Sequence, residues 1–277
     1  MKGILLPVED HAIMDAVMET ALLLARKFDS FIEGVALGPN IAEMVAADFS
    51  LSGVILDSHT RRDFLEASKR RFTNFMESHS IHPQRGEMPG LSYDWKGETL
   101  MSDNGVGEYA RVFDLVVVGR PGPEAQQPRR STFEAVLFES GRPVLLAVEK
   151  PPATLGETIV IAWNGQTDTA RTLAFALPLL LRARDVIVIT IPGLRQPGPP
   201  EADIIRSLRR HGVKARAHCL SEAQAAPGHA VLTAAAELGA DLLIKGGYTQ
   251  SRLRQLIFGG ATSEILAETT LPVFMAH

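Results

Sequence analysis

Short runs of apolar, largely β-branched residues alternate along this chain with longer stretches in which apolar positions recur every three or four residues. The first run, Ile4-Leu5-Leu6-Pro7-Val8-Glu9, predicts a strand that starts almost at residue 1. The Ala-, Leu- and Met-rich stretch that follows predicts a helix over 14–28, and a second strand is expected over 32–37. The same order returns from Ile159-Val160-Ile161-Ala162-Trp163-Asn164, through a helix over 169–181, to a strand over 186–191. Further helices are expected over 61–78 (with Phe64, Leu65, Phe72, Phe75 and Met76 at mostly helical spacing), 105–112, 132–140, 201–211, 230–238 and 260–268. Further strands are expected over 116–118, 144–148, 242–244 and 273–275.

The ends of the two passes match as well. Asp114-Leu115-Val116-Val117-Val118-Gly119 parallels Asp241-Leu242-Leu243-Ile244-Lys245-Gly246. Arg142-Pro143-Val144-Leu145-Leu146-Ala147 parallels Leu271-Pro272-Val273-Phe274-Met275-Ala276. The chain therefore reads as two copies of one domain, 1–150 and 151–277, joined at the Pro/Gly stretch 150–156. Apolar strands alternating with helices imply an α/β fold with a parallel sheet covered on both faces, five strands to each copy, and ligands beyond the carboxyl ends of the strands.

Composition narrows the function classes. The formal charge is −4, so no global basic footprint points to nucleic acid. The acidic excess lies in residues 1–150, whereas 151–277 carry a small basic excess, which suits an anionic ligand. One cysteine, Cys219, excludes an intrachain disulfide framework and is read as a packed strand cysteine. The apolar run 173–181 contains Pro178 and falls far short of the ~20 residues a bilayer needs. A cytoplasmic protein with no membrane contact is expected. His79 and His82, near a helix end beside Pro83, are read as surface histidines, and no metal site is evident.

The most informative stretch runs from Lys245-Gly246-Gly247-Tyr248-Thr249-Gln250-Ser251-Arg252 to Phe258-Gly259-Gly260-Ala261-Thr262. It follows a strand and ends in a glycine pair where a helix begins. Backbone amides there can approach an anion, and the helix dipole favours one. The same residues also suit an ordinary glycine-bearing turn with arginines on a solvated face. The equivalent stretch of the first copy, Gly119 to Thr132, carries Pro121, Pro123 and Pro128, which remove N–H donors, and Glu124, which repels phosphate. Ser131 or Thr132 is expected to cap the helix that follows. Gly105-Val106-Gly107 is read as a helix start, Arg206, Arg209 and Arg210 as the solvated face of an amphipathic helix, and the apolar insert 41–56 as a short docked helix.

These features together resemble the universal stress protein family in its tandem form, a Rossmann-like, adenine nucleotide alpha hydrolase-like fold. The family's motif is Gly, two residues, Gly, nine residues, Gly, then Ser or Thr. On this chain Gly246 and Gly259 match it, while Thr249 replaces the second Gly and Gly260 replaces Ser/Thr. Members that bind ATP carry an Asp at the end of the first strand, where this chain has Glu9 and Asn164. The resemblance implies a stress-response protein that binds ATP or another adenine nucleotide in its second copy as a regulatory ligand. Trp163 and Asn164 would stand at the base end. Gly246, Thr249, Ser251, Gly259, Gly260, Ala261 and Thr262 would stand at the phosphates. The first copy's site is expected to be degenerate. It further implies dimers, or internal pairing of the two copies with 144–148 beside 273–275. The alternative is an interaction module with vestigial sites. An ATP-hydrolysing enzyme would need a general base, and none is evident in the loop.

Overall fold

A computed structural model describes residues 1–38, 58–86, 89–122, 124, 126–190, 197–220, 226–247 and 261–277. The apolar insert 41–56 and, of the expected site residues, Thr249, Ser251, Gly259 and Gly260 lie outside the described residues. The chain divides into two compact units, Met1–Ser140 and Gly141–His277.

The first unit contains strands β1 (Gly3–Val8), β2 (Phe31–Ala36), β3 (Ser92–Trp95) and β4 (Leu115–Gly119), in the spatial order β3-β2-β1-β4. All three pairings are parallel, with Ile4 beside both Ile32 and Leu115. Its described helices are α1 (Met14–Phe28), α2 (Ser58–Ser78), α3 (Asp103–Tyr109) and α4 (Arg130–Glu139). α1 begins where Met14, Met18 and Leu22 can all enter the core, and closes on Asp29 in the left-handed region, with Arg26 and Lys27 complementing the dipole. Gly34 is required by packing: a Cβ there would lie 2.9 Å from both Phe72 and Trp95.

The second unit contains β5 (Val144–Ala147), β6 (Thr158–Ala162), β7 (Asp185–Thr190), β8 (Ala215–Cys219), β9 (Leu242–Gly246) and β10 (Val273–Ala276). Their order is β5-β10-β9-β6-β7-β8. Every described pairing is parallel except β5 with β10, where Leu145 stands opposite Phe274. The unit thus begins at Gly141, and the strand that the sequence repeat counts as the fifth of the first copy packs in the second unit. The helices are α5 (Thr167–Leu180), α6 (Glu201–Arg210), α7 (Pro227–Glu237) and α8 (Ala261–Glu268).

The repeat is legible in hydrogen bonds. Asp114 accepts from the backbone of Lys2 and Gly3, the latter at 3.0 Å, and so ties the start of β4 to that of β1. Asp241 accepts from Glu157 and Thr158, the latter at 3.1 Å, and ties β9 to β6 in the same way.

Two expectations are corrected, and the surroundings of Trp163 are now defined. Cys219 is exposed, because β8 is the last described strand of its sheet and only its first residue, Ala215, is buried. Neither Ser131 nor Thr132 caps α4, which starts earlier, at Arg130, and Thr132 Oγ1 instead donates to Asp103 at 2.7 Å. Trp163, an expected base-end residue, is largely enclosed. It is 8% exposed, and its Nε1 donates to the Pro199 carbonyl at 3.0 Å.

Candidate functional site

In the second unit the chain runs from β6 to its neighbour β7 on one side and returns later to β9 on the other. Crevices of this kind, outside the carboxyl ends of strands where the order reverses, are where open α/β sheets take ligands. Ala162 pairs with Lys245, so Asn164 and Gly246 stand just beyond that pairing. Asn164, half-buried, accepts from Gln166 N at 3.0 Å and from Thr169 Oγ1 at 2.6 Å, holding the turn into α5. Its oxygen thus fixes the turn, while its amide group lies close enough to Asp168 to help lower that carboxyl's pKa.

Gly246 lies under the first turn of α5. A Cβ at this position would come within 2.3 Å of Asp168 Oδ2 and 2.5 Å of the Thr169 backbone nitrogen. Only glycine lets the helix approach the strand this closely. Lys245, its neighbour, points to the opposite face, as alternation in a strand demands. Its Nζ donates to Thr262 Oγ1 in the first turn of α8 at 2.6 Å and to the Gly246 carbonyl at 3.0 Å. Burial pulls the Lys245 pKa down to about 8, and the Asp168 charge acts in the opposite sense. Asp168 is itself buried, and its two carboxylate oxygens have no hydrogen-bond partner among the described residues. Burial pushes its pKa up, and the Thr169 amide, the Lys245 charge and the Asn164 side chain oppose the rise.

The structure thus brings together Asn164, Gly246 and Thr262 of the expected residues, with Ala261 beside Thr262. It adds Asp168 and Lys245, which sequence reading missed. A signal for Lys245 existed: it interrupts the apolar run Leu242-Leu243-Ile244, where the first copy has Val118. Asp168 gave none, since an acid in the first turn of a helix is ordinary.

The corresponding point of the first unit is closed by the chain itself. Gly119, the counterpart of Gly246, packs under Pro128, whose Cγ would lie 2.3 Å from an added Cβ. The Ala12 amide donates to the Gln126 carbonyl at 3.0 Å. Glu9, the counterpart of Asn164, accepts from the Arg129 amide at 3.2 Å, and the Arg129 guanidinium stands 3.6 Å from the same carboxylate. Burial raises the Glu9 pKa, and Arg129 opposes the rise. His11 is buried nearby and is held down to about pKa 4, chiefly by burial and then by the charge of Arg71. A cleft of about 290 Å³ lies between the end of β1 and α2, lined by Glu9, Asp10 and Asp63 against Arg71, with Phe64 and Thr60. Its acidic excess disfavours a phosphate. Among the described residues no three His, Cys, Asp or Glu side chains stand close enough to hold a metal ion, and no helix is long and apolar enough to cross a membrane.

No protein-family model and no curated protein matches the chain. Solved structures do. A universal stress protein from Archaeoglobus fulgidus DSM 4304 superposes with a TM-score of 0.73 at 16% identity, over 99% of this chain and 95% of that one. A protein of unknown function from Pseudomonas aeruginosa PAO1 matches with a TM-score of 0.57 at 13% identity, over 100% and 92% of the two chains. The likeness is one of fold at low identity, and it spans both units together. The chain has the fold of the universal stress proteins.

Proposed function

We propose that this chain is a tandem universal stress protein that binds an adenine nucleotide in its second unit, as a ligand that biases conformation or assembly rather than as a substrate. The observation that carries this reading is the contrast between two equivalent strand ends. In the first unit Pro128 and Arg129 lie over Gly119 and Glu9. In the second, the neutral amide Asn164, the glycine Gly246 and the helix-start residue Thr262 gather at the crevice beside a buried cation. A neutral amide can pair with a purine edge, and a helix start with a cation suits phosphate. A ligand of this kind acts only through its different affinity for two states of the protein.

The test is to denature the purified protein and identify the small molecules released by mass spectrometry, followed by calorimetric titration with ATP. Adenine nucleotide at close to one per chain is expected. No released nucleotide, and no binding at millimolar ATP by calorimetry and by ligand-induced thermal shift, would mean an affinity weaker than about −4 kcal/mol and would overturn the reading. The second reading, an interaction module with vestigial sites, is favoured by Thr249 and Gly260 standing where the family motif has Gly and Ser/Thr.

A further inference from the structure

The two units end in outer strands, β3 in the first and β8 in the second. The first unit covers its edge with its own chain. The Tyr93 amide donates to the His82 carbonyl at 3.2 Å, and the Gln84 amide donates to the Tyr93 carbonyl at 2.7 Å. Pro83 is thereby bridged to Tyr93. The connection from α2 to β3, residues 79–91, is long enough to form this strap. The connection from α6 to β8 is only 211–214, and it leaves no chain to fold back along the edge.

The Val186 amide donates to the Lys214 carbonyl at 3.2 Å, and the Leu220 amide donates to the Thr190 carbonyl at 3.4 Å. Residues in step with 214 and 220 thus turn their main chain to β7, and Ala215, Ala217 and Cys219 turn theirs away from the sheet. Arg209 Nε closes one of these positions, donating to the Ala215 carbonyl at 2.9 Å. Ala217 and Cys219 are exposed, and among the described residues no strand pairs with their outer side. Edges of this kind are ordinarily guarded by a charged side chain. Arg216 does not serve as that guard, because Asp185 on β7 draws it back over the sheet, with Nε at 3.2 Å and Nη2 at 2.8 Å from the carboxylate.

Charge selects what can lie there. Residues 204–219 hold five Arg and Lys side chains and no Asp or Glu. Asp203 pairs with Arg206 and Asp185 with Arg216, while the exposed side chains of Arg210 and Lys214 have no ion-pair partner among the described residues. Arg210 follows Arg209, and Lys214 precedes Ala215, so both flank the start of the open edge. A second copy of β8 laid antiparallel would set base against base. A nucleic-acid backbone offers phosphate acceptors to the amides but no donor to the carbonyls. An acidic polypeptide in extended form satisfies the charge and both main-chain groups. We propose that β8 takes up an extended segment of an acidic partner protein as an additional strand, with the Ala217 main chain at the centre of the pairing and Arg210 and Lys214 drawing in its carboxylates. The proposal is independent of the nucleotide reading, since β6 and β7 lie between β8 and β9.

The experiment titrates the full chain with a peptide of about six residues, the length of an ordinary strand, that alternates valine and glutamate. Binding is read by hydrogen exchange at the Ala217 and Cys219 amides and by the rate of thiol modification at Cys219. Both rates are expected to fall as the peptide binds. A copy N-methylated at alternate residues, which cannot pair along the edge, and a copy with lysine for glutamate should leave both unchanged. Ala217→Pro removes the outward donor at a position where an edge strand tolerates proline. It should weaken the peptide roughly tenfold, the loss of a main-chain hydrogen bond, without shifting the Tm of the free protein. Should that variant fail to fold, Arg210→Glu combined with Lys214→Glu provides the same discrimination through charge, again with roughly tenfold weaker binding expected. No protection at millimolar peptide, or equal protection by the N-methylated copy, would overturn the proposal. Protection of the same amides by a short single-stranded oligonucleotide but not by the peptide would overturn it in favour of a nucleic-acid partner.

Discussion

The two units carry their buried charge on opposite sides of the same architectural point. In the first, the carboxylate Glu9 ends β1 and is matched by Arg129 from the start of α4, while the neighbouring positions are the apolar Ile13 and Val118. In the second, the strand ends in the neutral Asn164, and the charges have moved to the counterparts of Ile13 and Val118, namely Asp168 and Lys245. One arrangement is closed: acid and base satisfy each other. The other is open-ended: a carboxylate without hydrogen-bond partners among the described residues and an ammonium held by neutral oxygens. The repeated fold keeps its backbone-anchoring acids, Asp114 and Asp241, while the residues just beyond the strand ends diverge.

The comparison breaks most severely at Arg129. Arg129→Ala leaves Glu9 buried without its cation and is expected to cost about 3 kcal/mol in chemical denaturation at pH 7. Glu9→Gln in that background should recover part of the loss. A change below about 1 kcal/mol would place Glu9 among exposed surface ion pairs instead.

The paired glycines come next. Gly246→Val drives a side chain into the Thr169 backbone, whereas Gly119→Val meets the side chain of Pro128. Losses of about 3 and about 2 kcal/mol respectively are expected from urea midpoints, both overpacking costs. The order matters more than the values: a larger loss at Gly119 would mean that residues 126–130 are the more rigid lid.

Titration should separate the units by pH window. His11 has a folded pKa of about 4 against 6.5, so between those values the unfolded chain binds the extra proton, and the stability contributed by neutral His11 is lost as pH falls. Lys245 has a folded pKa of about 8 against 10.5, so the cost of burying its charge is fully present below about 8 and is relieved as pH rises to 10.5. Stability measured against pH should therefore lose its acid-side slope in His11→Leu and its alkaline-side slope in Lys245→Met. Equal slopes in wild type and variants would remove both assignments. The smallest effect concerns Cys219, which should react with a thiol reagent in the folded protein without shifting Tm, since its strand is an exposed edge.

Much of this was legible in the sequence. Periodicity gave the helices to within a few residues, as with 14–28 and Met14–Phe28. The repeat placed Glu9, Asn164, Gly119 and Gly246 at equivalent strand ends. What escaped depends on three-dimensional neighbours. Arg129 and Glu9 are far apart in the chain, and only the return of residues 126–130 across β1 joins them. Asp168 reads locally as an ordinary helix-start acid until Gly246 brings the strand against it. Cys219 looked like a core residue because its strand is short and the edge position of β8 is a property of the whole sheet.

On the proposed reading the second unit binds nucleotide and the first does not. Equilibrium titration with ATP, read as stoichiometry on the full chain and on Glu9→Gln, tests it most directly. One ATP per chain is expected, with the same affinity in both proteins. Two per chain, or a single site whose affinity falls with Glu9→Gln, would put the ligand in the first unit and contradict it.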